Sequence, residues 1–449
     1  MPIQNILLIS IDDMNDWIGP LGGHPDAVTP NLSALAARSV VFDAAMIPAA
    51  SCSPSRTATM YGQAPWITGV YNNKALWNDY YAPDQQFSFV GRLRQAGYRT
   101  ILGGKVTHGV VDGRDWKDVS DLPGDRFPAI SQAVQQGLIP STFDFGPSPV
   151  DAPPLVDALQ AAYIISKMQA GDTGKLWAYG VHRPHSPFVV PQAYFDMIAP
   201  VVANPPGLFQ VPFDPANDAA LANLPGAALS VINPNRKVPA GVYQTGEYNP
   251  WIRAYLAAIA YADDCIGRVL DKIEDCGLDQ NTLIVLWSDN GMQFGEKQCG
   301  RKFTLWERVL RVPLMIAGPG VVPRHVPQPV SLMDIYPTVA ALTGITAPYP
   351  LSGTDLSGTV LGTANPVGVA LSAWVRKSDP GIALSVRTQE YRFTRYWNGQ
   401  CELYDHTFDP HEHNNLAGNP TYQPVINSLQ SLLPTSLATP IDGSGTDDE

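Results

Sequence analysis

The sequence predicts an α/β protein with a large, mostly parallel central sheet flanked by helices, followed by a smaller subdomain with an antiparallel sheet. Short apolar runs that end in polar residues, such as Ile6–Ile9 before Asp12 and Leu283–Trp287 before Asp289, are typical of parallel strands buried on both faces. Amphipathic segments alternate with these runs, and this alternation implies right-handed crossover connections. After about Gly362 the sequence changes to short β-like segments, which predicts the antiparallel sheet.

The first predicted strand runs from Asn5 to Asp12. Thr29 and Pro30 form a helix-start signal, with threonine as the N-cap and proline at the first helical position. The segment 251–274 is predicted as a long helix because its apolar residues recur at helical spacing. Further predicted helices are 87–95, 155–168 and 332–342, and further strands of the large sheet are 99–102, 175–181, 283–287 and 312–317.

The chain is predicted to divide into a large α/β domain, residues 1–362, and a small C-terminal α+β subdomain, residues 363–449, with an acidic tail that is expected to be frayed. The segment from Ala199 to Asn249 is rich in Pro, Asn and Gly, and we predict a surface excursion that shapes the substrate entrance. Predicted strands of the subdomain are 369–374, 382–386, 391–397 and 402–404, with a helix near the end.

Composition excludes some classes of function. The 449 residues carry a formal charge of −12, and the isoelectric point is about 5.1. Nucleic-acid and anionic-membrane binders depend on clustered Lys and Arg, so neither partner is expected. The five cysteines are widely spread and suggest neither a disulfide framework nor a zinc site. The N-terminus lacks the pattern of a secretory signal, and we expect a cytoplasmic protein, or a periplasmic one if a signal has been removed.

Two sets of residues are candidates for chemistry. Asp12 and Asp13 follow the first strand, and Asp289 and Asn290 follow a late one, so a doubly wound sheet can bring them to one edge. Three carboxylates and an amide oxygen suit Ca²⁺ or Mg²⁺ better than zinc. Taken singly, each pair is equally compatible with a helix N-cap or a turn. The second set is the stretch Cys52-Ser53-Pro54-Ser55-Arg56, in which Ser53 and Pro54 suit the N-cap and the first position of a helix.

The C-x-P-S-R setting of Cys52 resembles the pattern that formylglycine-generating enzymes oxidise. The chain therefore resembles the type I, formylglycine-dependent sulfatases of the alkaline phosphatase superfamily, and looks closest to the iduronate-2-sulfatase and choline-sulfatase branch. The resemblance covers nearly the whole chain and implies an alkaline phosphatase-like fold. It also implies a divalent cation, Ca²⁺ with Mg²⁺ or Mn²⁺ as alternatives, bound by Asp12, Asp13, Asp289, Asn290 and the modified residue 52.

The same resemblance assigns roles to further residues. Lys105 and His108, in Gly-Gly-Lys-Val-Thr-His, match a family pair that binds sulfate and drives its elimination. His185 precedes Ser-Pro as the family's leaving-group histidine does, so we expect it to be the general acid, with His182 as its competitor or support. Lys302 is expected to bridge sulfate and the leaving oxygen. Arg56, one helical turn after Cys52, is expected to reach the cation site or the modified side chain.

The predicted function is hydrolysis of sulfate monoesters of aryl, alkyl or carbohydrate alcohols. The nearest alternative is a phosphonate monoester or phosphodiester hydrolase of the same superfamily, and a remoter one is a non-catalytic sulfate-binding scaffold. A plain thiolate nucleophile at Cys52 would leave the oxygen ligands unexplained. Expected partners are a small sulfate ester and a formylglycine-generating or equivalent maturation enzyme, and a homo-oligomer is compatible with the sequence. Trp17, Trp66, Trp77 and Trp116 are candidate walls of the substrate pocket.

Overall fold

The computed structural model describes residues 3–81, 88–109, 111, 113–120, 122, 125, 129–208, 221–232, 238, 240–375 and 381–444. The strands of this part of the chain are β1 Asn5–Ile11, β2 Ser39–Phe42, β3 Ala45–Met46, β4 Arg99–Gly104, β5 Asp118–Val119, β6 Phe145–Pro147, β7 Lys175–Val181, β8 Phe188–Val190, β9 Thr282–Ser288, β10 Arg311–Val312, β11 Leu314–Ala317, β12 Arg324–Val326, β13 Val330–Ser331, β14 Val369–Val375, β15 Ile382–Thr388, β16 Tyr391–Arg395 and β17 Cys401–Asp405.

The helices of the described residues are α1 Pro30–Ala36, α2 Cys52–Tyr61, α3 Pro65–Thr68, α4 Trp77–Tyr80, α5 Phe89–Gln95, α6 Gln132–Gln135, α7 Val156–Ser166, α8 Gln192–Asp196, α9 Gly226–Val231, α10 Ala240–Gln244, α11 Tyr248–Asp275, α12 Glu307–Leu310, α13 Ile335–Thr343, α14 Ser357–Val360 and α15 Gln423–Gln430. None of the helices in this part of the chain has the length and apolar character needed to cross a bilayer.

The large sheet has eight strands in the order β12-β2-β11-β9-β1-β7-β4-β5. Its centre is parallel, since β1 pairs in parallel with both β7 and β9, whereas β11 runs antiparallel to β9 and β2. β1 and β9 are buried along their whole lengths, as their continuous apolar runs predict. The predicted fold class is therefore confirmed.

The long helix α11 covers one face of this sheet. Its inner stripe, which includes Tyr255, Ile259 and Ile266, is fully buried in the core cluster that contains alternate residues of β1 and β9. Burying this apolar stripe is what holds an amphipathic helix of this length on the sheet. At α1, Thr29 and Pro30 occupy the predicted positions, although the Thr29 hydroxyl accepts a hydrogen bond from Gly19 N (2.8 Å) and does not cap the helix.

The C-terminal residues form a four-stranded antiparallel sheet, β14 to β17, with α15 packed against it. Its strands also contribute Trp374 and Tyr404 to the core cluster of the large sheet, so the two parts share apolar packing. The division at residue 362 lies between α14 and β14 and stays a prediction. Up to Ser444 the tail is anchored, because Ser444 N and Oγ both donate hydrogen bonds to Asp79.

Candidate active site

Adjacent parallel strands bring the predicted cation ligands together. β1 and β9 are paired with Ile11 opposite Ser288, so Asp12, Asp13, Asp289 and Asn290 all follow at the same edge of the sheet. Asp13 N donates to Asp289 Oδ1 at 3.0 Å, and Asn290 Nδ2 donates to Asp13 Oδ1 at 2.7 Å. All four side chains are buried. Asp13 has a φ of 60°, a left-handed conformation that is rare outside glycine and that clusters at functional sites.

Residue 52 lies beside these carboxylates at the start of α2. Ser51 is the N-cap and Cys52 is the first helical residue, whereas the sequence placed the helix start at Ser53 and Pro54. Ser53 N instead donates to Asn73 Oδ1 at 3.0 Å. The Cys52 sulfur and one oxygen each from Asp12 and Asp289 lie within 4.8 Å of one another. The helix start therefore fixes residue 52 against the carboxylate cluster.

Arg56 connects the strand ends that carry the carboxylate cluster. Its Nε donates to Asp289 Oδ2 at 2.7 Å, its Nη1 donates to Ser10 Oγ at 2.6 Å and to Lys105 O at 2.9 Å, and its side chain is fully buried. A guanidinium has a fixed fork of donors, so these bonds hold the ends of three strands in one geometry. Arg56 therefore contacts the predicted cation ligands, as expected, and acts as a positioning residue.

Two lysines supply positive charge. Lys302 Nζ lies 2.7 Å from Asp13 Oδ1 and 2.6 Å from Cys52 Sγ, and Lys105 Nζ lies 2.7 Å from Asp12 Oδ2. Burial alone would lower the pKa of Lys302, but Asp13 and Cys52 raise it well above its ordinary value. Burial alone would likewise raise the pKa of Asp12, which Lys105, His185 and Arg56 hold well below its ordinary value. These groups are therefore ionised at neutral pH.

The histidines line the open side of the cluster. His185 Nε2 lies 3.7 Å from Asp13 Oδ2, and His182 Nδ1 lies 3.7 Å from Asp12 Oδ2. Burial lowers the pKa of His185 to about 4, although Asp13 and Asp12 act to raise it. Burial and the charge of Lys105 lower the pKa of His108 to about 3. A neutral imidazole is the form that a general base needs.

The thiol of Cys52 is poorly suited to direct attack. Its burial raises the pKa to about 12, in spite of the neighbouring lysines. The thiolate is the nucleophilic form of cysteine, so an unmodified thiol here would be almost entirely protonated at neutral pH. Burial of the thiol thus disfavours the plain thiolate alternative.

Oxygen atoms of the cluster have the pattern expected of a cation site. Asp12 Oδ1 and Asn290 Oδ1 are buried and accept no hydrogen bond from the described residues, although Arg56 Nη2 lies 3.5 Å from Asp12 Oδ1. A buried oxygen of this kind is costly unless another group satisfies it. Burial raises the pKa of Asp289 to about 6 against the opposing effect of Arg56, and a bound cation would favour its ionised form. Oxygen donors of this kind fit Ca²⁺, Mg²⁺ or Mn²⁺.

A cleft of about 430 Å³ opens above the cluster. Several residues that the sequence did not single out form its walls, namely Thr142, Phe143, Met292, Arg301 and Phe303. None of the four predicted tryptophan walls lines it: Trp17, Trp77 and Trp116 are core residues, and Trp66 packs near the C-terminal sheet. The described residues of 199–249 also lie outside its lining. Residues 209–220, 233–237 and 239 of that segment lie outside the described residues, so its role at the entrance stays a prediction. Among the described residues, the segments 142–143 and 301–303 line the cleft.

The fold and this cleft are those of a hydrolytic enzyme that acts on an anionic ester. Residues 4–345 match the sulfatase family, and residues 295–438 match the C-terminal family of N-sulphoglucosamine sulphohydrolase. The chain therefore belongs to the sulfatase family, whose members hydrolyse sulfate esters, and the predicted family is confirmed.

Relatives extend over nearly the whole chain. A sulfatase of Formosa agariphila is 31% identical over 97% of this chain and 87% of its own length. A choline-sulfatase of Rhizobium meliloti is 27% identical over 93% of this chain and 83% of its own length.

Two solved structures share the fold. A 2-O GAG sulfatase has a TM-score of 0.74 at 20% identity and covers 96% of this chain and 91% of its own. A phosphonate monoester hydrolase of Agrobacterium radiobacter has a TM-score of 0.73 at 22% identity and covers 95% and 94%. At these identities the likeness shows the fold alone, and the catalytic roles of individual residues stay predictions.

Proposed function

We propose that this enzyme hydrolyses sulfate monoesters and that residue 52 acts as formylglycine. The proposed cofactor is a divalent cation, preferably Ca²⁺, whose ligands would be Asp12, Asp13, Asp289 and Asn290. One observation carries the proposal. The Lys302 ammonium lies within 2.7 Å of both the Cys52 sulfur and the Asp13 carboxylate, so nucleophile, anion-binding cation and candidate metal ligand meet at one point. A maturation enzyme would convert Cys52 before this cleft becomes active.

Each polar residue of the cleft has a separate role in the proposed reaction. Lys105 and Lys302 bind the sulfate oxygens, and Lys302 also stabilises charge on the leaving oxygen. Hydrated formylglycine would offer two hydroxyls. One would attack sulfur as the S–O bond to the alcohol breaks, and the other would then lose its proton to His108 as the C–O bond to the sulfate breaks and the aldehyde re-forms, to be hydrated again by water. His185 donates a proton to the departing alcohol. A bound divalent cation would neutralise sulfate charge and lower the pKa of the attacking hydroxyl.

The low pKa of His185 bears on its role. Before substrate binds, this imidazole is neutral at pH 7, since its pKa is about 4. The negative charge of a sulfate ester next to it would raise that pKa. His185 would therefore take up its proton together with the substrate, and we propose that His182, whose ring centroid is 4.9 Å away, supports it.

The test is a comparison of matched aryl sulfate, phosphodiester and phosphonate esters. Enzyme co-produced with a maturation enzyme should hydrolyse the aryl sulfate faster than the phosphodiester or the phosphonate ester. It should contain about one divalent cation per chain. The Cys52→Ala substitution should abolish turnover. A phosphorus ester that is turned over orders of magnitude faster would favour the phosphonate hydrolase alternative. Retained binding of sulfate esters without any turnover, in protein with converted residue 52, would favour the non-catalytic scaffold.

A cytoplasmic location is a further part of the proposal. It is supported by the five cysteines, all of which are free thiols in the structure, since disulfides are rare in reducing compartments. Fractionation of the producing cells tests it, and recovery of the enzyme in a periplasmic or extracellular fraction would contradict it.

A further inference from the structure

The loop that carries Lys302 is closed by a buried hydrogen bond between two side chains. Thr304 Oγ1 donates to Gln293 Oε1 at 2.7 Å, and Gln293 Nε2 donates to Glu296 O at 3.1 Å. Gln293 is 1% exposed and Thr304 is fully buried. A buried polar group that loses its partner is costly, so this pair resists separation. It joins the two ends of the loop 293–304, and Lys302 lies between them.

The backbone on each side of Lys302 is hydrogen-bonded as well. Before it, Gln293 N donates to Arg301 O at 3.2 Å. After it, Phe303 N donates to Ala50 O at 3.1 Å. Ala50 lies in the segment that leads into α2. The second bond therefore connects the loop to the segment that places residue 52.

The residue between Lys302 and Thr304 has an unusual backbone conformation. Phe303 has a φ of 73°, in the left-handed region that residues with a side chain rarely adopt. Such a conformation persists only where the surrounding contacts impose it. One flanking contact is the bond to Ala50, and another is the bond from Thr304 to Gln293. Loss of the Thr304 hydroxyl would let Phe303 relax, and the backbone of Lys302 would move with it.

The position of the Lys302 ammonium depends on that backbone. Its Nζ lies 2.7 Å from Asp13 Oδ1 and 2.6 Å from Cys52 Sγ. The stem of a lysine side chain is flexible, so the backbone sets the region that the ammonium can reach. In an active site, misplacing a group by about 1 Å can lower the rate about 100-fold. The loop conformation is therefore part of what the reaction requires.

Resting on the sulfatase function proposed above, we propose that Gln293 and Thr304 are positioning residues whose hydrogen bond holds the Lys302 ammonium against residue 52. Neither is among the described residues that line the cleft, so they act through Lys302 and not on the substrate. This role differs from general support of the fold, because their effect on turnover passes through one side chain.

A double-mutant cycle separates positioning from stability. Four proteins are compared: wild type, Thr304→Val, Lys302→Met and the double variant. The readout is kcat for the sulfate ester that wild type hydrolyses best, normalised to the fraction of residue 52 that is converted and to bound cation. Valine resembles threonine in shape but lacks the hydroxyl, which leaves Gln293 Oε1 without this donor.

Thr304→Val should lower normalised kcat about 10- to 100-fold when Lys302 is present. In the Lys302→Met background it should change kcat by less than about twofold, because no ammonium is left to position. A loss of stability alone would act equally in both backgrounds. Gln293→Leu removes the acceptor of the same bond and should behave in the same way, so the test does not depend on the folding of one variant.

Two further variants serve as controls. Thr304→Ser keeps a hydroxyl and should restore normalised kcat to within about threefold of wild type. Thr394→Val removes a comparable bond elsewhere, since Thr394 is 2% exposed on β16 and its Oγ1 donates to Ser385 Oγ at 3.2 Å. This second control should lower stability and leave normalised kcat within about threefold of wild type.

Three results would overturn the inference while leaving sulfatase function intact. Thr304→Val and Gln293→Leu could both keep full activity, both could slow the two backgrounds equally, or Thr304→Ser could be as slow as Thr304→Val. If wild type with converted residue 52 hydrolyses no aryl, alkyl or sugar sulfate, the proposed function itself is wrong and the inference falls with it.

Discussion

Lys302→Met removes the ammonium that joins the nucleophile to the cation cluster. Lys302 Nζ makes two contacts shorter than 3 Å, with Asp13 Oδ1 and Cys52 Sγ, and it is buried. A preorganised donor in a desolvated site contributes about 2.7–4 kcal/mol to transition-state stabilisation. We therefore expect kcat toward an alkyl or sugar sulfate to fall about 100- to 1,000-fold.

The assay measures initial rates on purified protein, normalised to the fraction of residue 52 that is converted and to bound cation. Lys297→Met is the matched control. Lys297 is also buried on the same loop, but its Nζ donates to Glu412 O at 2.5 Å and lies over Trp306 and Tyr404, outside the cleft. Its loss should reduce stability and leave normalised kcat within about threefold. A Lys302→Met enzyme with kcat within tenfold of wild type would refute the role of Lys302.

Three further predictions concern the general acid, the cation and the fold. His185→Ala should slow hydrolysis of alkyl sulfates about 100-fold or more and that of 4-nitrophenyl sulfate far less, because only a poor leaving group needs a proton; equal effects on both would contradict the assignment. Calcium at about 100 times its Kd should raise the unfolding free energy of wild type by about 2.7 kcal/mol, and Asp12→Asn should abolish most of this gain in calcium-dependent melting; an equal gain in the variant would count against the site. Glu412→Gln should cost about 1.5–3 kcal/mol in denaturant unfolding because it removes one of the two carboxylates, Glu412 and Glu307, that pair with buried Arg392. Burial alone would raise the pKa of Glu412, but Arg392 and His406 lower it to about 2, so the carboxylate stabilises the fold above its ordinary pKa of 4.5 and this contribution is lost as pH falls toward 2. A variant difference that persists unchanged at pH 2 would argue against this pairing.

The polar residues at the ends of the buried strands are the part of the site that the sequence predicts. The sequence predicts that the four polar residues after β1 and β9 lie close together, because the carboxyl ends of parallel strands meet at one edge of a sheet. These residues are Asp12, Asp13, Asp289 and Asn290. The position of residue 52 next to them followed only from family resemblance, since nothing in the spacing of Cys52 fixes where α2 lies.

Other features depend on tertiary contacts that local patterns do not contain. The start of α2 was misplaced because Ser51 and Ser53 are equally plausible caps, and proline is tolerated throughout the first turn. The segment 312–317 was predicted as one strand, but β10 and β11 are separate and Pro313 lies between them. Pro lacks the N–H that a ladder needs.

The walls of the cleft were the least predictable part. Trp17 is fully buried and packs against Tyr255 and Phe294. A large aromatic residue can stabilise a hydrophobic core or line a pocket, so the residue type alone does not predict which of the two it does. Arg301 and Phe143 come from distant parts of the sequence and meet only in the fold. No periodicity or motif links them.

The most direct measurement relates sulfate release to the chemical state of residue 52. Preparations made with graded amounts of maturation enzyme would be analysed by mass spectrometry of the peptide that contains Cys52, in parallel with turnover of one sulfate ester at saturating Ca²⁺. The account predicts turnover that rises in proportion to the aldehyde fraction and vanishes with it. Full turnover in a preparation that contains only the thiol would contradict it.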